Sequence, residues 1–198
     1  MLTDAKKYVA AALFLILIPA IAMAENSSDD NPVPERLGFV EWLVIDGTGL
    51  RMKARLDTGA KTSSLHAVNV ESFTKDDEEW VSFQLPLADH QDEDDADGKD
   101  LEEVVLEFSL PVERTVKIKR KGAPSQRRFV VIMDFCIAGT SHETEFSLTD
   151  RGKFSYPALL GRRFMRDDNI LIDSADAFMA QKECEHKSLA DLAEEHAG

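Results

Sequence analysis

Short apolar stretches that alternate with polar residues fill most of this chain, and long helical patterns are few. Residues 37–45 (LGFVEWLVI) and 51–56 (RMKARL) flank the turn-forming run Asp46-Gly47-Thr48-Gly49, and together they predict a β-hairpin. Further strands are predicted over residues 80–87 (WVSFQLPL), 102–110 (EEVVLEFSL), 115–120, 128–137 (RFVVIMDFCI), 144–148 and 170–174 (ILIDS). Two short helices are predicted over residues 162–167 and 187–196, the second with Leu189, Leu192 and Ala193 at helical spacing. So many short strands beside so little helix predict a mainly β domain, either a barrel or a sandwich.

The first residues break this pattern. Lys6 and Lys7 precede an apolar run over residues 8–21, and Ala22-Met23-Ala24 follows before Glu25. That order of basic, apolar and small residues is the pattern of a secretory signal peptide, so residues 1–24 are expected to be removed on export across the inner membrane, leaving a periplasmic protein. The apolar run is short for a bilayer span, and no stable membrane span is expected after cleavage. Residues 25–36 are polar, carry two prolines and are expected to form a disordered leader. A domain over residues 37–180 and a helical tail over 181–198 complete the expected organisation. The mature chain of about 174 residues is long enough for one domain with a real core.

Charge and cysteine usage narrow the function classes. The formal net charge is −14, and loss of Asp4, Lys6 and Lys7 with the leader takes it to −15. Such a chain is a poor partner for nucleic acid or anionic lipid. Cys136 and Cys184 are the two cysteines, and in an oxidising compartment they form a disulfide if their backbones come within reach, which sequence alone leaves open. Residues 89–103 (DHQDEDDADGKDLEE) are densely acidic. Aligned on Gly98, a calcium loop would need its bidentate glutamate where Val104 stands, so a solvated loop is the expectation. His142-Glu143 begins like a helical zinc motif but lacks the second histidine one turn later. Neither a phosphate-binding G-x-x-x-x-G-K-[ST] loop nor a G-x-S-x-G elbow is present, and no metal or cofactor is expected.

The chemistry is concentrated in ARLDTGAKTSSLHA, residues 54–67. An acid at the end of an apolar strand, followed by Thr58, Gly59 and Ala60, is an ordinary turn composition, but it is also what a carboxylate held by its own loop requires. Two such carboxylates brought together share one proton, so that one acts as base toward water and the other as acid toward a carbonyl. A glycine lets the loop approach its partner and the substrate, and Leu56 anchors it to the core. His66 is expected to be structural. Asp173-Ser174-Ala175 has alanine where the glycine should stand, and Asp173 is likewise expected to be structural. With one Asp-Thr-Gly per chain, a second copy in a homodimer would supply the second carboxylate.

Three segments carry a resemblance to the retropepsin-like aspartic endopeptidases, and among them to a bacterial family long labelled as ATP-dependent zinc proteases: LGFVEWLVI, KARLDTGAKTSSLHA (53–67) and FSLTDRGKFSYPALLGRRFM (146–165). The resemblance implies a closed β-barrel of about six strands, a peptide or protein substrate, a homodimer and Asp57 as the catalytic residue, supported by Thr58, Gly59 and Ala60. It also implies that Leu159, Leu160, Gly161 and Arg162 pack behind the catalytic loop. Where the family often carries an acid that pairs with this arginine, the chain has Lys61, so dimer contacts or binding of the substrate ends must differ. The segment 116–130 resembles the flap hairpin but is basic, with Lys117, Lys119, Arg120, Lys121, Arg127 and Arg128, which favours acidic peptides unless those charges are merely solvated. The alternative function is a non-catalytic peptide-binding or scaffold module on the same fold.

Export gives the first prediction. Protein recovered from the cell envelope is expected to start near Glu25 by intact mass, whereas retention of residues 1–24 would replace the signal-peptide reading with an anchored one.

Overall fold

The expected hairpin forms from β2 (Val40–Ile45) and β3 (Arg51–Asp57), antiparallel in a register that sets Glu41 opposite Ala54 and Leu43 opposite Met52. Its turn is closed by Thr48, whose Oγ1 donates to the Ile45 carbonyl and accepts from the Leu50 amide. The computed structural model describes residues 33–90, 105–120 and 122–196. The leader over residues 1–24 and most of the acidic run lie outside the described residues. The expected disordered segment needs one correction: its last two residues, Glu35 and Arg36, belong to a strand, β1 (Glu35–Gly38).

Six strands close on themselves. Besides β2 and β3 they are β4 (Ser63–His66), β9 (Ala123–Ile137), β10 (Thr140–Thr149) and β11 (Ala158–Gly161). Each is hydrogen-bonded to the next in the order β10, β4, β11, β3, β2, β9, and the pairing of β9 with β10 completes the ring. A closed ring leaves no open edge among these six strands. The mainly β closed barrel expected from the sequence is therefore the fold. Every second residue of β3 and of the second half of β9 points inward: Met52, Ala54 and Leu56, and Val131, Met133, Phe135 and Ile137, are all buried. Phe135 sits at the centre of the core, with the rings of Phe146 and Phe164 at 5.6 and 5.3 Å.

Other strands are added to this ring. β8 (Arg114–Arg120) pairs with the first half of β9 as a hairpin turning at Gly122, in the segment expected to be the flap. A three-stranded sheet of β5 (Val68–Lys75), β6 (Glu78–Pro86) and β7 (Val105–Pro111) buries Val81, Phe83, Leu85 and Leu106 in the common core. β1 pairs in parallel with β12 (Ile170–Asp173), which follows the short helix α1 (Arg162–Asp167).

The segment expected to be a tail is part of the same core. Helix α2 (Leu189–His196) buries Leu189, Leu192 and Ala193, and Ser188 caps it by accepting the Asp191 amide. Between β12 and α2 the chain is strapped to the barrel. Glu41, 1% exposed, accepts hydrogen bonds from the amides of Gly38 and Met179 at 2.6 and 2.8 Å, Lys187 N–H donates to the Gly49 carbonyl, and Phe178 stacks on Trp42 at 5.2 Å. A side chain on Gly38 would come within 2.6 Å of the Asp176 carbonyl oxygen, so this strand can meet the strap only as glycine.

Cys136 and Cys184 form a disulfide that fastens the strap to the end of β9. The cross-link spans 48 residues, and restricting a loop of that length in the unfolded chain is worth about 4 kcal/mol in the chain-entropy model. Replacing both cysteines by serine is expected to lower the melting temperature by roughly 10 °C or more, and reductant should do the same to the wild type. Equal melting curves with and without the bond would show that the hydrogen bonds of the strap suffice.

Candidate active site

Asp57 is the last residue of β3, and two features fix its carboxylate. Leu56, buried in the core, anchors the strand end, and its amide bonds to the Phe39 carbonyl. The chain then turns sharply: Gly59 N–H donates to Asp57 Oδ1 at 2.9 Å, and Ala60 N–H donates to the Asp57 carbonyl at 3.1 Å. A Cβ at position 59 would stand 3.1 Å from Asp57 Oδ1, tighter than ordinary contact, so the turn favours glycine for reasons of space. Thr58 and Gly59 are exposed and Asp57 is half-buried, so the carboxylate stands at the protein surface on a rigid turn.

The segment expected to pack behind this loop does so through main-chain contacts. β11 runs parallel to β3 and sets Leu160 beside Leu56 and Gly161 beside Asp57. Gly161 N–H donates to Ser63 Oγ at 3.1 Å, and a Cβ on Gly161 would lie 2.6 Å from the backbone carbonyl of Thr62. Helix α1 begins at once, with Gly161 as its N-cap and no side chain capping it. The first amides of a helix have no partner within the helix. Here Arg162 N–H and Arg163 N–H donate to the carbonyls of Ala60 and Lys61, at 3.0 and 3.2 Å. The loop caps the helix, and the helix fixes the loop.

Arg162 and Lys61, the pair that departs from the resembled pattern, are explained by the same contacts. Arg162 Nη1 lies 3.3 and 3.4 Å from the carbonyls of Gly59 and Thr58, so its guanidinium addresses the loop backbone in place of an acid. Arg163 leans the other way, to Glu145 Oε2 at 3.2 Å. Glu145 also takes both Nε and Nη2 of Arg114, and these hydrogen bonds hold its carboxyl below the usual carboxylate range.

The other residues singled out from the sequence stand apart from Asp57. Asp173 pairs with Arg36 in the β1–β12 sheet, and the Arg36 hydrogen bond lowers its pKa. His142 lies on strand β10, with Nδ1 bonded to Asp168 and its ring against Phe135 and Phe164, so His142-Glu143 is not helical. His66 is 1% exposed and accepts the Arg151 backbone amide at Nδ1. Among the described residues no group of three or more His, Cys, Asp or Glu side chains is placed to hold a metal ion.

Sequence reasoning missed the polar junction beside the loop. Apart from Glu41, the buried polar residues among those described are Ser63, Ser64, His66, Ser147, Thr149 and Arg151, all on β4, on β10 or just after it. Ser63 carries the strongest link to the site, since it accepts the Gly161 amide. The one available signal was the run Thr62-Ser63-Ser64, whose small hydroxyl residues begin five positions after the acid.

Residues 36–183 match the family model described as "RimB-like: Retropepsin-like aspartic endopeptidase RimB". Two curated relatives, from Shewanella pealeana and Desulfotalea psychrophila, are 33% and 35% identical over 144 and 141 residues and are both named probable alpha-L-glutamate ligase. The match covers 72% and 70% of this chain but 29% and 28% of those proteins, so the chain spans less than a third of their length. A solved structure of a Legionella pneumophila protein of unknown function superposes with a TM-score of 0.60 at 28% identity, over 74% of this chain and 98% of that one.

The contact behind the loop can be tested by one methyl group. Gly161→Ala forces its Cβ against the Thr62 backbone, and a destabilisation of about 1–3 kcal/mol is expected in denaturant melts. A neutral result would mean that the loop and β11 are less tightly joined than this contact requires.

Proposed function

Because the chain belongs to the RimB-like family of retropepsin-like aspartic endopeptidases, we propose that it is an exported aspartic endopeptidase in which two copies of Asp57, one from each protomer of a homodimer, activate the attacking water. The observation that carries this reading is the exposed Asp57 turn, built on main-chain bonds to Gly59, Ala60 and the start of α1. In such a site the two carboxylates share a proton, because like charges so close cannot both ionise. The ionised carboxylate draws a proton from water as it attacks the peptide carbonyl, and the protonated one donates to the carbonyl oxygen. The tetrahedral intermediate then collapses as the leaving nitrogen gains a proton, and the pair is left ready for another cycle.

Export is supported by the leader composition of residues 1–24 and by the Cys136–Cys184 disulfide, a bond suited to an oxidising compartment. Acidic peptides are the first substrates to test. The β8–β9 hairpin presents Lys117 and Lys119 as exposed cations in a chain of net charge −14, and the curated relatives are named for glutamate ligation.

Asp57→Asn is nearly isosteric but cannot share the proton. The variant is expected to stay folded and to lose turnover of glutamate-containing peptides by on the order of 10³-fold or more. Mixed three to one with wild type under demonstrated subunit exchange, it should lower activity per wild-type chain to about one quarter, as random pairing requires. If activity simply tracks the amount of wild-type chain, the shared pair is wrong and the acid acts within one protomer.

A further inference from the structure

Arg151 is 8% exposed, yet among the described residues it has no carboxylate partner. Its donors go to neutral acceptors: Nη1 to Ser64 Oγ at 2.9 Å, Nε to the Tyr156 carbonyl at 3.1 Å, and the backbone N–H to His66 Nδ1 at 2.7 Å. Burying a cation without a counter-charge is costly, and burial, with Arg128 nearby, pushes this guanidinium down from its ordinary value. A costly group is kept where its geometry cannot be replaced, and the three bonds indicate what that geometry does.

Together the three bonds join two pieces of chain around the active-site loop. Ser64 and His66 belong to β4, the strand that leaves the Asp57 loop. Tyr156 stands two residues before β11, the strand that places Gly161 behind Asp57. His66 N–H closes the circuit by donating to the Pro157 carbonyl at 2.8 Å, and the Arg151 carbonyl takes Phe154 N–H at 2.7 Å, so residues 151–157 are folded tightly round the guanidinium. Phe154 lies over the Arg151 guanidinium with its centroid at 4.7 Å. Ser63, next to Ser64, accepts the Gly161 amide. The entry of β11 into the sheet is thus set at one end by Arg151 and at the other by Gly161.

We propose that Arg151 is a positioning residue for the active site: it fixes the 151–157 loop to β4, thereby sets the register in which β11 enters between β3 and β4, and so holds Gly161 and the start of α1 against the Asp57 loop. Arginine is required because one planar fork reaches Ser64 and Tyr156 together, which a lysine ammonium on a flexible stem does not reproduce. His66 is the receiving half of this device. Since its Nδ1 accepts the Arg151 amide, the neutral ring carries its proton on Nε2.

The inference rests on Asp57 being the reacting carboxylate, but its test has an arm that does not. Arg151→Lys keeps the charge and loses the fork, and Ser64→Ala removes one acceptor with little change of volume. Hydrogen–deuterium exchange of both full-length variants is expected to quicken by on the order of tenfold in the peptides covering residues 57–63 and 158–163, while those from β2 and β8 keep wild-type protection. On a peptide that the wild type cleaves, kcat should fall by on the order of tenfold or more, with KM changed less than about threefold. Unchanged exchange in both variants, or an equal rise throughout the barrel, would overturn the proposal. If exchange behaves as expected but the wild type cleaves no peptide, the endopeptidase reading fails and the positioning role stands. If exchange behaves as expected and the wild type cleaves while kcat in both variants is unaltered, the positioning role in catalysis fails.

Discussion

The mutual capping of the Asp57 loop and helix α1 is the constraint on which the rest of this structure turns. A helix start leaves amides without partners, and a sharp turn leaves carbonyls without partners. Setting Gly161 beside Asp57 lets each satisfy the other: Ala60 and Lys61 accept the amides of Arg162 and Arg163, and the Arg162 guanidinium covers the carbonyls of Thr58 and Gly59. The arrangement needs a glycine at 161, since any Cβ there would overlap Thr62. It also needs β11 to run parallel to β3, so that the helix leaves from the same end of the barrel at which the acid emerges.

A parallel strand between β3 and β4 has to be delivered by a connection, and that demand explains the buried polar residues. Elsewhere the barrel is held by apolar side chains of β2, β3, β9 and β10 around Phe135, which specify packing but tolerate small shifts. Where β4 meets β10 and β11, Leu65, Leu148 and Leu160 join that core, and these strands and the residues just after β10 also bury polar side chains, Ser63, Ser64, His66, Ser147, Thr149 and Arg151. Hydrogen bonds are directional, so a polar junction admits one register where an apolar one admits neighbours. On the far side Glu41 fixes the strap, with its carboxylate taking amides from Gly38 and Met179, and the disulfide secures that strap to β9.

What was legible in the sequence follows from the same division. The β2–β3 hairpin, β6, β8, the second half of β9 and helix α1 were readable because one face of each is apolar and the other polar, or because turn residues frame them. β4 was not, because SSLH is buried on both faces and shows no alternation. β5 was missed because its apolar positions are few, with Phe73 itself 39% exposed. Cys136 and Cys184 could not be paired from spacing, since the bond depends on the strap folding back across β2, and no local pattern encodes that path. The Asp57 loop and the LLGR segment were identified by chemistry and resemblance. The way they meet, through backbone groups, has no side-chain signature apart from Gly161.

The bonding of the Asp57 loop also bears on the proposed assembly. A shared carboxylate pair requires two loops to meet at a symmetry axis, and association always costs translational and side-chain freedom. If each loop had also to be ordered at that moment, the cost would rise further. Here Asp57 is already oriented within its own chain by Gly59, Ala60 and the amides of α1, while Thr58 and Gly59 remain exposed for contact. A like-charged pair also repels until one proton is shared, so the loops must be held in place by bonds that do not involve the carboxylates' charge. Main-chain bonds from a helix start to a loop meet that requirement, because neither partner titrates. On the proposed mechanism, such a loop stands ordered in each chain and depends on a second copy for its chemistry.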